Sequence, residues 1–221
     1  MEGIFVEENM EKKEKKNRKV LKVIGIIILI LLLILLIYFI RNFVIVNSLA
    51  EIQSSNNYHY KFAKDDGSFE YSYKDGKSVE IFRVNDQIVS IDWYDRNTGE
   101  RIYIEPLSSK ATISHIQNHE SGLVGSLLLE TAISDNVSGR LNKAFCSFIT
   151  TENIDGVECY KLQPWCGVLS NTFYFNKDSK LMEKAIIGNS DVIFSDWTVN
   201  QLTDEDVARP DLGNYEIIEE E

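Results

Sequence analysis

The chain reads as a mainly β (α+β) protein. The expected fold is a large curved antiparallel sheet, a half-barrel, with one or two covering helices behind a single transmembrane helix. Three observations predict it. The run Val23–Ile40 holds eighteen residues and no charge. Past residue 57 the apolar period changes from helical to two, in runs rich in Tyr, Phe, Ile and Val. Asp-Gly and Asn-rich turns separate those runs, as in successive hairpins.

The elements follow in order. Residues 1–19 form a charged, unpatterned, basic cytoplasmic tail, and residues 20–41 the membrane helix. At about 1.5 Å per residue the apolar run covers most of a hydrocarbon core roughly 30 Å thick. Val20 and Leu21 extend it, with Lys22 snorkelling. Lys12, Lys13, Lys15, Lys16, Arg18, Lys19 and Lys22 stand before the run, and only Arg41 stands close behind it. Basic residues stay on the cytoplasmic side, so the C-terminal domain is expected outside, at the cell membrane. A cleaved signal peptide is the rival reading. It wants an apolar core of about 7–15 residues and a small-x-small cleavage site. This core is longer, and Phe43-Val44-Ile45-Val46 stands where cleavage would fall. No cysteine near the run supports an acylated anchor. An uncleaved single-pass anchor is the expectation.

Residues 42–56 continue as a helical connector through Ser48, Leu49 and Ile52, stopping near Ser54-Ser55-Asn56-Asn57. The extracytoplasmic domain is then 57–221. Its first strands are Tyr58–Phe62, Phe69–Tyr73, Ser78–Val84, Gln87–Tyr94 and Glu100–Ile104. Gly122–Ile133 sets Leu123, Val124, Leu127, Leu128 and Ala132 on one face and predicts an amphipathic helix on the sheet. A second series follows: Lys143–Thr150, Val157–Gln163, Asn171–Asn176, Leu181–Ile187 and Asp191–Val199. The tail from Asp204, with Pro210 and an acidic end, is expected to wrap the surface. A sheet of nine or ten strands must be covered, curled or closed.

Charge divides at Arg41. Residues 1–41 carry eight Lys/Arg and five Asp/Glu, and residues 42–221 carry fifteen and twenty-nine. A domain this acidic is repelled by phosphates, so nucleic acid is excluded as a partner. Its abundant Tyr and Trp argue against disorder. The three cysteines, Cys146, Cys159 and Cys166, all lie in the outer part. If Asp155-Gly156 is a two-residue hairpin turn, partner numbers sum to 311 and Cys146 faces Trp165, next to Cys166. That register suggests a Cys146–Cys166 disulfide; three buried free thiols are the alternative.

The layout resembles the LolA-like half-barrel superfamily of bacterial lipoprotein carriers. The resemblance covers roughly 48–220 and rests on SLAEIQSSNNYHYKF, on DGVECYKL followed by TFYFNKDSKLMEKAII, and on the closing VNQLTDEDVARPDLGNYEII. It implies a carrier or sensor that binds acyl chains in an apolar cavity. This chain departs from that pattern in its membrane tether, and no carrier-site residue is transferred.

Chemistry-bearing motifs are few. His115 and His119, four apart and beside Glu120, have zinc spacing but need a third ligand, from His59 or a carboxylate. A polar loop or helix start explains them as well. Asp95-x-Asn97-x-Gly99 resembles a calcium-loop fragment, but a type I hairpin turn accounts for it better. No nucleophile–base constellation, phosphate loop or cofactor motif is present in the sequence, so a non-enzyme without cofactor or metal is expected. The aromatic stripe Tyr58, Tyr60, Phe62, Phe69, Tyr71 and Tyr73 is the candidate ligand lining, with the sheet's own core as the alternative. The reading is a membrane-anchored binding module for a lipid, acyl chain or lipoprotein. The alternative is an envelope sensor or assembly subunit that binds a protein partner and has no ligand cavity.

Overall fold

The computed structural model describes residues 2–51, 55–64, 67–116, 124–134, 136–165 and 171–220. The chain forms two compact units, Met1–Asn42 and Phe43–Glu221. The first is helical: α1 spans Glu2–Leu49, so the charged segment expected as an unpatterned tail is helix too. Its Glu and Lys residues are good helix formers. Among the described residues α1 is the one helix long and apolar enough to cross a membrane, and none of its apolar window is buried within the protein. An anchor and a signal sequence share that property.

The second unit holds the end of α1 and one open sheet. Its strands are β1 (Asn57–Lys64), β2 (Gly67–Lys74), β3 (Lys77–Val84), β4 (Gln87–Asp95), β5 (Glu100–Glu105), β6 (Lys110–His115), β7 (Ser147–Ile154), β8 (Val157–Pro164), β9 (Thr172–Asn176), β10 (Met182–Ile187), β11 (Ser190–Val199) and β12 (Glu216–Glu219). Helices α2 (Val124–Ala132) and α3 (Val137–Cys146) stand between β6 and β7. Among the described residues the sheet has twelve strands, in the order β12-β6-β5-β4-β3-β2-β1-β11-β10-β9-β8-β7. Every pairing is antiparallel except β12 on β6, which is parallel and makes the sheet mixed. The expected large open sheet with covering helices is therefore the observed fold.

Turn chemistry sets the register. Asp75 and Gly76, like Asp155 and Gly156, both take positive φ, as a type I′ two-residue hairpin requires. The pairs Ile154↔Val157, Glu152↔Cys159 and Ser147↔Pro164 follow. The Trp165 N–H donates to the Cys146 carbonyl at 2.9 Å, so the hairpin has the expected register. At Asp95-Arg96-Asn97-Thr98-Gly99 the Asn97 N–H donates to Asp95 Oδ1 at 2.8 Å, and the Gly99 N–H to the Asp95 carbonyl at 2.8 Å. That is hairpin-turn chemistry.

Three elements differ from expectation. The predicted strand Lys143–Thr150 is helical through Cys146 and extended only from Ser147. Asn136 Oδ1 accepts the Gly139 N–H at 2.7 Å and caps α3. The strands β6 and β12 were not expected. The tail does more than wrap the surface, because it supplies the parallel edge strand β12.

Cross-strand partners share a face, so the two faces can be followed along the sheet. On one face run Ile149, Leu162, Phe173, Ala185 and Val192, all buried. The same face continues through Phe194 and Phe62 to Tyr60, Tyr71, Glu80 and Asp92. The residues Val46 and Leu49, from the end of α1, are also buried. The opposite face has its own core at β4–β6: Trp93, Ile102, Ile104 and Ala111 with Leu212 of the tail. Trp93 Nε1 donates to the Val207 carbonyl at 3.0 Å and ties the tail over this cluster.

Candidate functional site: the aromatic floor under helix α2

The six aromatics of the predicted stripe come together as three facing pairs: Tyr58↔Tyr73, Tyr60↔Tyr71 and Phe62↔Phe69. Tyr58, Tyr60, Phe62 and Tyr71 are buried, while Phe69 and Tyr73 are half-buried. Their rings meet neighbours outside the stripe. Tyr60 lies 4.3 Å from the Trp197 ring and 5.7 Å from Phe194, and Phe69 lies 4.5 Å from Phe82. The floor is thus wider than the stripe. Phe82, Phe194 and Trp197 belong to it, and only the β1–β11 and β2–β3 registers reveal that.

Helix α2 stands on this floor by its first turn. The Gly125 N–H donates to Glu80 Oε2 at 2.6 Å and the Val124 N–H to Glu80 Oε1 at 3.3 Å. A carboxylate there satisfies open N–H groups and complements the helix dipole. The Tyr60 hydroxyl donates to the Gly125 carbonyl at 2.7 Å. Gly125 is required by contact, since a Cβ would come within 2.6 Å of Tyr71 Cγ. Glu80 was missed by sequence reasoning. In an alternating strand it reads as solvent-facing, yet it is only 7% exposed.

A polar patch adjoins it. Glu80 faces Asp92 across β3–β4, and Asp92 faces Tyr103 across β4–β5. Arg101 Nε donates to Asp92 Oδ1 at 2.9 Å and Nη2 donates to Oδ2, a bidentate pair. Burial pushes the Glu80 carboxyl above its ordinary range, against the pull of the Gly125 and Val124 N–H groups; Asp92 adds to the rise and Arg101 opposes it. Burial also raises Asp92, partly offset by Arg101. The Tyr71 hydroxyl is raised by its burial.

A groove of about 350 Å³ borders the floor at Phe69 and is otherwise lined by Lys61, Ser68, Glu70, Arg83 and Asp86. Its charges make it a poor seat for an acyl chain.

The remaining candidates do not converge. His115 ends β6 and is exposed, while His59 Nδ1 pairs with Ser72 Oγ at 3.0 Å on β1. The four strands between β1 and β6 separate the two by roughly 24 Å at the usual strand spacing. His119 and Glu120 lie outside the described residues. So does Cys166, and with it the proposed pairing; Cys146 is half-buried at the end of α3. Cys159 is buried, and its thiol is raised by that burial.

No family model matches the chain, and no curated protein matches it. Among solved structures it is similar to the Mycobacterium tuberculosis lipoprotein LppX, at 12% identity and a TM-score of 0.42, over 75% of this chain and 94% of that one. It is similar to a DUF1329 family protein from Desulfovibrio piger at 14% identity and a TM-score of 0.37, over 77% and 97%. PNGF-II is similar at 11% identity and a TM-score of 0.36, over 74% of this chain and 30% of that one. All three likenesses are distant in both sequence and structure.

Proposed function

We propose that the chain is a non-catalytic binding module, tethered by α1 as an uncleaved anchor with its N-terminus cytoplasmic. Its extracytoplasmic domain takes an acyl chain, from a lipid or lipoprotein, between α2 and the aromatic floor. The observation that carries this reading is how α2 is held. Its first turn rests on the floor through one carboxylate, one hydroxyl and one glycine contact. Lifting that turn bares Tyr60 and Tyr71 and breaks three hydrogen bonds, each worth roughly 1–3 kcal/mol. Burying about 300 Å² of acyl chain returns about 7 kcal/mol at 25 cal/mol per Å². The exchange is within reach of binding.

The test is native mass spectrometry of the full chain from its host's membranes. A defined lipid adduct, lost in Gly125→Val, is the expected result. An apo mass, with no adduct on adding phospholipid, overturns the reading. The second reading, a sensor or assembly subunit without a ligand cavity, is favoured by the filling of the floor with Phe82, Phe194 and Trp197. It then takes precedence.

A further inference from the structure

Helix α3 carries an apolar stripe that the fold leaves open. Val137, Leu141 and Phe145 recur at every fourth position and are 59%, 40% and 64% exposed. Residues so spaced share one helix face. The stripe continues beyond the helix, because Phe148 is 55% and Trp165 is 51% exposed. The Trp165 ring lies 6.0 Å from Phe145 and 6.4 Å from Phe148, and its Nε1 donates to the Phe145 carbonyl at 2.9 Å. Contiguous exposed apolar surface of this kind marks an interaction site.

Charge says what it meets. Arg140 Nη1 donates to Asn47 Oδ1 at 2.8 Å, which holds α3 to the chain just past the apolar run. The helix carries Arg140 and Lys143 and no acidic residue, within a part of the chain that has fifteen Lys/Arg against twenty-nine Asp/Glu. Lys143 turns back to the Thr131 carbonyl. An anionic lipid surface repels the rest of the acidic domain and not this helix.

We infer that the face formed by Val137, Leu141, Phe145, Phe148 and Trp165 rests in the headgroup layer of the bilayer that α1 crosses. The inference rests on the tethered reading proposed above. Tryptophan is favoured at that depth, and an amphipathic helix lies in the interface with its apolar face down.

The test uses the full chain in vesicles of phosphatidylcholine and phosphatidylglycerol, with part of the phosphatidylcholine brominated high on its acyl chains. Tryptophan emission is compared with that of Trp165→Phe. Trp93 is buried and Trp197 is stacked on Tyr60, so those two supply the background. The expected result is quenching in the wild-type chain that is lost in Trp165→Phe. It is also weakened in Leu141→Ser/Phe145→Ser, with the far-ultraviolet circular dichroism unchanged. Equal quenching of wild-type and Trp165→Phe chains in vesicles they float with overturns this contact and leaves the tether standing. A chain that does not float with the vesicles overturns the tether reading and this one together. A photo-crosslinker at Phe145 that captures a protein, or a second copy, in native membranes also overturns the lipid contact.

Discussion

The sheet has two covered regions, and they are covered by different chemistry. On the reverse face of β4–β6, the C-terminal tail lays Leu212 against Trp93, Ile102, Ile104 and Ala111, with one hydrogen bond to the indole. On the other face, the first turn of α2 meets the aromatic floor through a buried carboxylate, a tyrosine hydroxyl and a bare glycine. Apolar contact alone has no titration and little directional demand. The carboxylate contact has both. The difference teaches that the tail is a permanent cover, whereas the start of α2 is held by a few groups that the loss of a proton or one added methyl group can disturb.

The largest effect is expected from removing the anchor of the permanent cover. Trp93→Ala should cost about 3–5 kcal/mol, as large aromatic deletions in cores do. A lowered thermal midpoint of the full chain in detergent, with faster amide exchange in β4–β6, checks it. A midpoint within a degree of wild type would break the comparison. Next comes Gly125→Ala. The new methyl meets the Tyr71 ring, and overpacking of this kind costs roughly 1–3 kcal/mol, above the helix-propensity gain. Here exchange should quicken in 124–132 and stay at wild-type rates in β4–β6. Equal quickening in both regions would show that the covers are not separate.

The smallest effect is a pH slope. Glu80 and Asp92 both have folded carboxyls raised above the ordinary range, mainly by burial. The unfolded chain therefore gives up these protons at lower pH than the folded chain does. Their contribution to stability is fully present below the unfolded carboxylate range and is lost as pH rises through the raised folded values. Stability should thus fall as pH climbs out of the carboxylate range, and Glu80→Gln should flatten part of that slope. Thermal midpoints of both chains across that window measure it. An unchanged slope in Glu80→Gln would remove Glu80 as a titrating clasp.

The hairpins were legible because their turns are written in residues that tolerate positive φ. Asp75-Gly76 and Asp155-Gly156 are two-residue turns, and the second also set the register of β7 and β8. The membrane-length helix was legible from its length. What escaped was non-local. β12 finds β6 across about a hundred residues, and no local pattern announces a parallel partner. The cap at Asn136 was hidden because Lys143–Thr150 alternates well enough for a strand. Glu80 was hidden by its own strand, since alternation says nothing of a helix arriving above it. The ring partners Phe194 and Trp197 lie over a hundred residues from Tyr60 and needed the β1–β11 register.

That register also sets an order of assembly. During synthesis β1 is the first strand to emerge, and β2 completes one of its sides within a few residues. Its other side stays an unpaired edge until β11, ending at Val199, has been made. The first six strands pair in sequence as a meander, so the middle of the finished sheet closes late, with only the edge strand β12 still to be made. Through that interval Lys61 and Lys64 stand on the provisional edge, and lysines there discourage pairing with another chain. A nascent chain halted before β11 leaves the floor's widest aromatic strand open to its neighbours, and such a fragment should aggregate where the complete chain does not.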